Sequence, residues 1–465
     1  MKEQEKNDSY IHPTVLRVLR ITGLVLVLLM VFLTAKVAIT FCLGLFAGGS
    51  HVVRLPGIGD PIISLEAQES KKREIAPGEL AEVARAEIAV AGDMMLHMPI
   101  VRTAWTGDGY DFTDVYEYIT PYVAGADYAS ATLETTLAGM DKGFSGAPYF
   151  NSPDELLPFI RGAGFDLLLT ATEHAYDMGV DGLLRTLSTV RGAELLPLGT
   201  VESAELPRYH IQTVNGIHIG MASYTAAVTA DDGSVSVNGL TADSVAAGYL
   251  NVFDPDRLSR FYTEMEGVLA ALEAGGAEVT VLYLHWGDEY NTSISDTQRS
   301  MAQALCDLGV DVIIGSHPHV VQPLDLLTSS ADPEHTTLVV YSAGTLLSNL
   351  RSDTTDVISG HTEDGILLRF TLSKYNDDSV KVSAVGLLPT WTAVYGTGEE
   401  RDFRILPLDG AVSDWSAAYG LNDQQFSNAR GSYNRTMAIV TSGLNKITHY
   451  LSEQNAVLNP ELGVG

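Results

Sequence analysis

Asp311-Val-Ile-Ile-Gly-Ser-His-Pro-His-Val-Val-Gln-Pro323 decides how this chain is read, because an apolar, strand-like run ends abruptly in two histidines flanking a proline. In an extended segment alternate side chains share a face, so His317 and His319 are expected to project the same way. Two imidazoles on a rigid turn suit a metal ion. A surface loop with two unrelated histidines is the competing reading of this motif alone.

Working outward, the same design recurs. Gly-x-Asp/Glu, then an apolar run, then a polar cluster appears in Gly125-Ala-Asp-Tyr-Ala-Ser-Ala-Thr-Leu-Glu134, Gly164-Phe-Asp-Leu-Leu-Leu-Thr-Ala-Thr-Glu-His174, Gly276-Ala-Glu-Val-Thr-Val-Leu-Tyr-Leu-His285 and Gly309-Val-Asp-Val-Ile-Ile-Gly-Ser-His317. A further strand, Glu87-Ile-Ala-Val-Ala-Gly92, runs into Asp93. Continuous apolar runs after helix-like segments (256–274, 296–308) predict strands buried on both faces, hence an α/β sheet with parallel neighbours. Such sheets bind ligands beyond the carboxyl ends of their strands. Asp93, Glu134, Glu173, His174, His285, His317 and His319 all lie there.

One polar residue after a strand is ordinarily a turn former. Strand after strand ending in Asp, Glu or His, with no Lys at those ends, is not turn chemistry. Carboxylate and imidazole together suit a divalent first-row metal such as Mn, Fe or Zn, whereas Ca and Mg favour oxygen alone. His97, close to Asp93, is expected to make a local contact instead. Trp286, Asp288, Glu289 and Tyr290 are expected at the pocket mouth, with Glu289 able to orient a liganding imidazole.

Residues 208–214 and 217–225 read as strands, and the Gly/Ser/Asp-rich stretch 229–239 as an exposed flap near the site. Segments 365–373 and 380–388 suggest an antiparallel pair closing a second sheet. The end of the chain, 410–465, reads as an amphipathic helical appendage.

Residues 21–47, ITGLVLVLLMVFLTAKVAITFCLGLFA, are apolar apart from Lys36 and long enough to cross a bilayer at ~1.5 Å per residue. Arg17, Arg20, Lys2 and Lys6 precede them, which places residues 1–20 in the cytoplasm and the bulk of the chain outside a single-pass anchor in the cell membrane. A cleaved signal peptide is the alternative, but no small-x-small cleavage site follows. Residues 48–84 read as a linker, and 85–409 as the main domain. The formal net charge of −30 excludes nucleic acid as a partner, since phosphates need Lys and Arg. Cys42 and Cys306 fall in the apolar span and in a helix, so no disulfide between them is expected.

Taken together, Ala91-Gly-Asp-Met-Met-Leu, Leu133-Glu134, Ala171-Thr-Glu-His-Ala-Tyr-Asp-Met-Gly179, His285-Trp-Gly-Asp-Glu-Tyr290, Gly315-Ser-His-Pro-His and Tyr341-Ser-Ala-Gly-Thr345 resemble the CapA family of capsule or poly-γ-glutamate biosynthesis proteins. The resemblance runs from about 87 to 408. It implies a metallophosphoesterase-like four-layer α/β/β/α sandwich with two divalent ions. Carried over, it makes Asp93, Glu134, Glu173, His285, His317 and His319 the metal ligands, with Glu134 bridging, and His174 the outer acid with Glu173 beside it. It further implies an anionic polymer or phosphoester as substrate and other membrane proteins of polymer synthesis as partners. This chain departs from the family pattern at Thr132 (usually Asn), at Thr172-Glu173 (Asn-Asn) and at Ser316 (His). A metal-dependent hydrolase or transferase is one expectation. A non-enzymatic anchored subunit with a degenerate metal site is the other.

Overall fold

Long Val/Ile/Leu runs with no polar face stay in place only between two apolar layers, and two stacked sheets with helices outside provide them. The structure, a computed structural model, describes residues 80–352, 354, 359–398, 401–410 and 415–458. The chain first lays down β1 (Glu82–Met94), β2 (Tyr128–Leu133), β3 (Leu167–Leu169) and β4 (Leu196–Leu198), all parallel. It then builds a second sheet from β5 (Tyr209–Val214), β6 (Ile217–Ala226), β10 (Val252–Phe253), β11 (Val279–His285), β12 (Val312–Ser316), β13 (Leu324–Thr328) and β14 (Thr336–Val340). Between β6 and β10 a small separate sheet forms from β7 (Val228–Thr229), β8 (Val235–Val237) and β9 (Leu240–Ala242).

The chain finally returns to the first sheet with β15 (Thr345–Leu347), β16 (Asp364–Tyr375), β17 (Val380–Tyr395) and β18 (Asp402–Pro407). The orders are β18-β17-β16-β1-β2-β3-β4, with β15 beside β1, and β10-β6-β11-β12-β14-β13, with β5 beside β6. The parallel strands are thus divided between two sheets, in keeping with the expected sandwich. The antiparallel pair β16 and β17 extends the first sheet instead of closing the second, because β16 pairs with β1 along nearly its whole length.

The inner faces share one core. Ile88 and Val90 of β1, Leu167 of β3, Met221 of β6, Val281 and Tyr283 of β11, Ile314 of β12 and Leu368 and Phe370 of β16 are all buried in it. Each such side chain contributes roughly 1.5–3 kcal/mol by leaving water. On the outer face of the first sheet Ala89, Ala91, Ala129 and Ala131 are small enough for the helices carrying Ile100, Val115, Leu157 and Ile160 to approach closely. On the outer face of the second, Leu282, Leu284 and Ile313 pack against helices Leu258–Ala274 and Asp296–Asp307 through Phe261, Met265, Met301 and Leu305. The result is a mixed α/β sandwich.

The C-terminal helix Asp423–Leu458 is helical as expected but is no appendage. Val440, Leu444, Ile447 and Leu451 belong to the inter-sheet core, so the helix completes that core with its apolar stripe. Arg435 pins it by a bidentate pair with Asp364, at 2.8 and 2.7 Å. The expected linker also gives way early, since β1 begins at Glu82. The predicted membrane helix at 21–47 lies outside the described residues, and no described helix is long and apolar enough to cross a membrane.

Candidate metal centre

The two sheets converge at the carboxyl ends of their parallel strands. The first brings Asp93 near the end of β1, Glu134 after β2, and Glu173 with His174 on a short 3-10 turn after β3. The second brings His285, the last residue of β11, and His317 and His319 just after β12. Asp93 is held by a close approach of backbones: its N–H donates to Gly344 O at 3.0 Å. A Cβ on Gly92 would lie 1.9 Å from that same oxygen, so glycine is required there. Thr172 caps the 3-10 turn by accepting the His174 N–H at 3.2 Å.

His317 and His319 do not alternate along an extended strand. Their φ angles are +94° and +54°. Left-handed backbone at two non-glycine residues costs ~1–3 kcal/mol each, and such strain collects at functional sites. The turn places the rings 5.8 Å apart between centroids and lets the His317 N–H donate to Asp93 Oδ2 at 3.3 Å.

Two donor groups take up six of these seven residues. In one, Glu173 stands between His285 Nε2, in a short contact, and His317 Nδ1, at 2.8 Å. In the other, His319 Nδ1 lies 3.1 Å from Asp93 Oδ2, and Glu134 Oε1 is 3.6 Å from both His319 Nε2 and His285 Nε2. Within each of the groups Glu173–His285–His317, Asp93–Glu134–His319 and Glu134–Glu173–His174 the donor atoms lie within 4.8 Å of one another. Two ligands of one ion, each at ~2.1 Å, stand at most ~4.2 Å apart, and the pair distances of 2.8, 3.1 and 3.6 Å fall within that limit.

Asp93 Oδ1, both oxygens of Glu134 and His319 Nε2 are buried with no hydrogen-bond partner. Leaving such groups unpaired costs about 1–3 kcal/mol each, more when charged. A divalent cation answers that cost, and the residues can hold one.

The electrostatics agree. Burial pushes Glu134 well above the ordinary carboxylate range, against the pull of His319 and with reinforcement from Asp93 and Glu173. Burial acts in the same sense on Glu173, but His317 and His285 outweigh it and hold that carboxylate well below its usual value. His285 and His319 are raised: burial opposes their protonation, but Glu173 beside the first and Glu134 and Asp93 beside the second prevail.

His174 stands at the edge of the centre. Its Nδ1 is 2.7 Å from Asp177 Oδ2, which also accepts the Phe150 N–H at 2.6 Å. Asn238, at the tip of the β8–β9 hairpin, donates to Asp177 Oδ1 at 2.8 Å and to Pro148 O at 2.8 Å. The expected flap therefore does reach the site. Asp177 and Asn238 were not singled out from sequence; the usable signal for Asp177 was its i+3 spacing from His174 on one turn.

Other expectations shift. Trp286 is buried, donates to Tyr341 O at 2.9 Å and packs in the outer core of the second sheet, not at the pocket mouth. Glu289 is exposed, with Oε1 3.9 Å from His319 Nε2. Tyr290 sits 6.0 Å from the His319 ring. His97 stays outside the donor groups and makes the expected local contact: its Nδ1 lies 3.3 Å from Met95 O and 3.2 Å from Asn349 N, and its ring meets Phe150 edge-on.

With this geometry in hand, residues 87–350 match the family model described as bacterial capsule synthesis protein PGA_cap. The chain belongs to that family. Every residue of the candidate centre falls inside the PGA_cap match, whereas β16 to β18 and the C-terminal helix lie beyond it. Among curated relatives, the capsule biosynthesis protein CapA of Bacillus anthracis is 26% identical over 303 residues, covering 64% of this chain and 66% of that protein. The PGA biosynthesis protein CapA of Bacillus subtilis (strain 168) is 25% identical over 278 residues, 59% of this chain and 65% of that protein. The chain thus spans just under two thirds of the length of these relatives.

Proposed function

We propose that this PGA_cap family member works in capsule or poly-γ-glutamate-type polymer synthesis or processing as a metal-dependent hydrolase or transferase. Its substrate is an anionic polymer or a phosphoester. The carrying observation is the set of buried, unpartnered donors on Asp93, Glu134 and His319 beside the Glu173–His285–His317 group. Asp93, Glu134 and His319 would hold one divalent ion, and Glu173, His285 and His317 a second. Bound there, Mn, Fe or Zn ions supply Lewis acidity, a more acidic water and positive charge that draws an anionic substrate to an acidic protein. His174, with Nδ1 engaged by Asp177, keeps Nε2 for giving a proton to a leaving group. The apolar run at 21–47 with its basic flank supports an anchored domain outside the membrane.

A second reading, a non-enzymatic subunit of a membrane-bound polymer synthesis or export complex, is favoured by Glu173 and Ser316, which stand where the family resemblance has asparagine and histidine. Metal analysis and phosphodiesterase and amidase assays on the full chain and on an Asp93→Asn, His317→Ala variant separate the two. The proposal expects bound metal and turnover in the first and loss of both in the second. Unchanged metal content sinks the metal centre; bound metal without turnover favours the subunit.

A further inference from the structure

His285 is held at both ends of its ring. Strands β11 and β12 pair in parallel with His285 directly opposite Ser316. The Ser316 Oγ lies 2.8 Å from His285 Nδ1, with both residues buried. The serine cannot drift: its carbonyl accepts the Trp286 N–H at 3.0 Å, and a Cβ on neighbouring Gly315 would lie 1.9 Å from Tyr341 O, so β12 is seated tightly. At the other end of the ring Nε2 faces Glu173 Oε2 and, at 3.6 Å, Glu134 Oε1.

This placement asks two things of the partner at Nδ1. When Nε2 carries a proton towards Glu173 in a neutral ring, Nδ1 is an acceptor and its partner must donate. When Nε2 gives its lone pair to a metal, Nδ1 carries the proton and its partner must accept. The proton leaving Nε2 passes to solvent, and a ring that began neutral takes the Nδ1 proton from solvent. A hydroxyl meets both demands by rotating about one bond, whereas a carbonyl or carboxylate only accepts and an ammonium only donates.

We propose that Ser316 is the positioning residue of His285, holding the imidazole in one orientation both before and after metal uptake. This rests on the metal-centre reading above. The test compares the full chain with Ser316→Ala and Ser316→Thr by Zn(II) calorimetry and by 1H–15N spectra of the His285 ring, with and without Zn(II).

The expected result is a 10–100-fold weaker Zn(II) affinity in the alanine variant, the loss typical of a partner behind a metal ligand, with most of it recovered by threonine. The alanine variant also loses the ordered Nδ1–H signal of the Zn(II) form and shows a displaced or broadened His285 resonance in the metal-free form. Wild-type affinity and unchanged ring spectra in the alanine variant overturn the proposal. If the wild type itself binds no Zn(II), the metal-centre reading fails. The metal-free spectra then decide alone: an altered His285 signal in the alanine variant supports the positioning role, and an unaltered one overturns it.

Discussion

Glu134→Gln should change sign with metal. Both Glu134 oxygens are buried without a hydrogen-bond partner, the nearest imidazole nitrogens standing at 3.6 Å. Burial raises the carboxyl well above its ordinary range, so the folded protein binds that proton more tightly than the unfolded chain. Such a group stabilises the fold fully below the unfolded carboxylate value. It loses that contribution as pH rises towards the raised folded value. Near neutral pH and under chelator, glutamine removes this penalty while keeping the shape. The variant is therefore expected to be at least as stable as wild type, by up to ~1–3 kcal/mol, the scale of one unsatisfied buried group. That advantage shrinks towards pH 4.

With divalent metal at a hundred times its dissociation constant, wild type gains ~2.7 kcal/mol and the variant gains little, so the order reverses. Urea denaturation followed by tryptophan fluorescence, with chelator and with Mn(II) or Zn(II), measures both differences. The reasoning is refuted if glutamine destabilises the metal-free protein by more than ~2 kcal/mol, the cost of breaking a satisfied network, or if metal stabilises both proteins equally.

Three further outcomes follow from named contacts. Asp177→Asn, which disturbs the partner of His174 Nδ1, should leave metal content unchanged and lower turnover by roughly 10²–10⁴-fold; equal loss of metal would make Asp177 a structural support of the centre. His97 is pushed down to about 4, chiefly by burial, so the unfolded chain takes up a proton the folded one refuses. Stability should then fall by ~3 kcal/mol between about pH 6.5 and 4, and His97→Asn should flatten that slope in pH-dependent urea titrations. Ile447→Ala should cost ~2–5 kcal/mol by calorimetry or urea titration, because the residue is fully buried in the inter-sheet core; a cost under ~0.5 kcal/mol would return the C-terminal helix to the surface.

The sequence by itself determined the parts that depend on near neighbours. Apolar runs bounded by turn residues located the central strands, as with 217–225 against Ile217–Ala226 and 208–214 against Tyr209–Val214. The polar residue ending each run marked the candidate donors, because a strand buried on both faces can change to Asp, Glu or His only where it leaves the core. The amphipathic pattern marked the last helix.

Tertiary structure alone decided which strands share a sheet, because pairing joins residues hundreds of positions apart, as Ala91 and Leu367 are joined. It decided that the last helix completes the core. It also decided the backbone at His317 and His319, whose left-handed φ no residue-type preference foretells. That strain is sustained by packing and by the Asp93 carboxylate from the opposite sheet. Asp177 stayed silent in the sequence, and Ser316 showed only as a departure from the family pattern, for the same reason: a short polar side chain has no evident role until the fold sets a histidine 2.7 or 2.8 Å away.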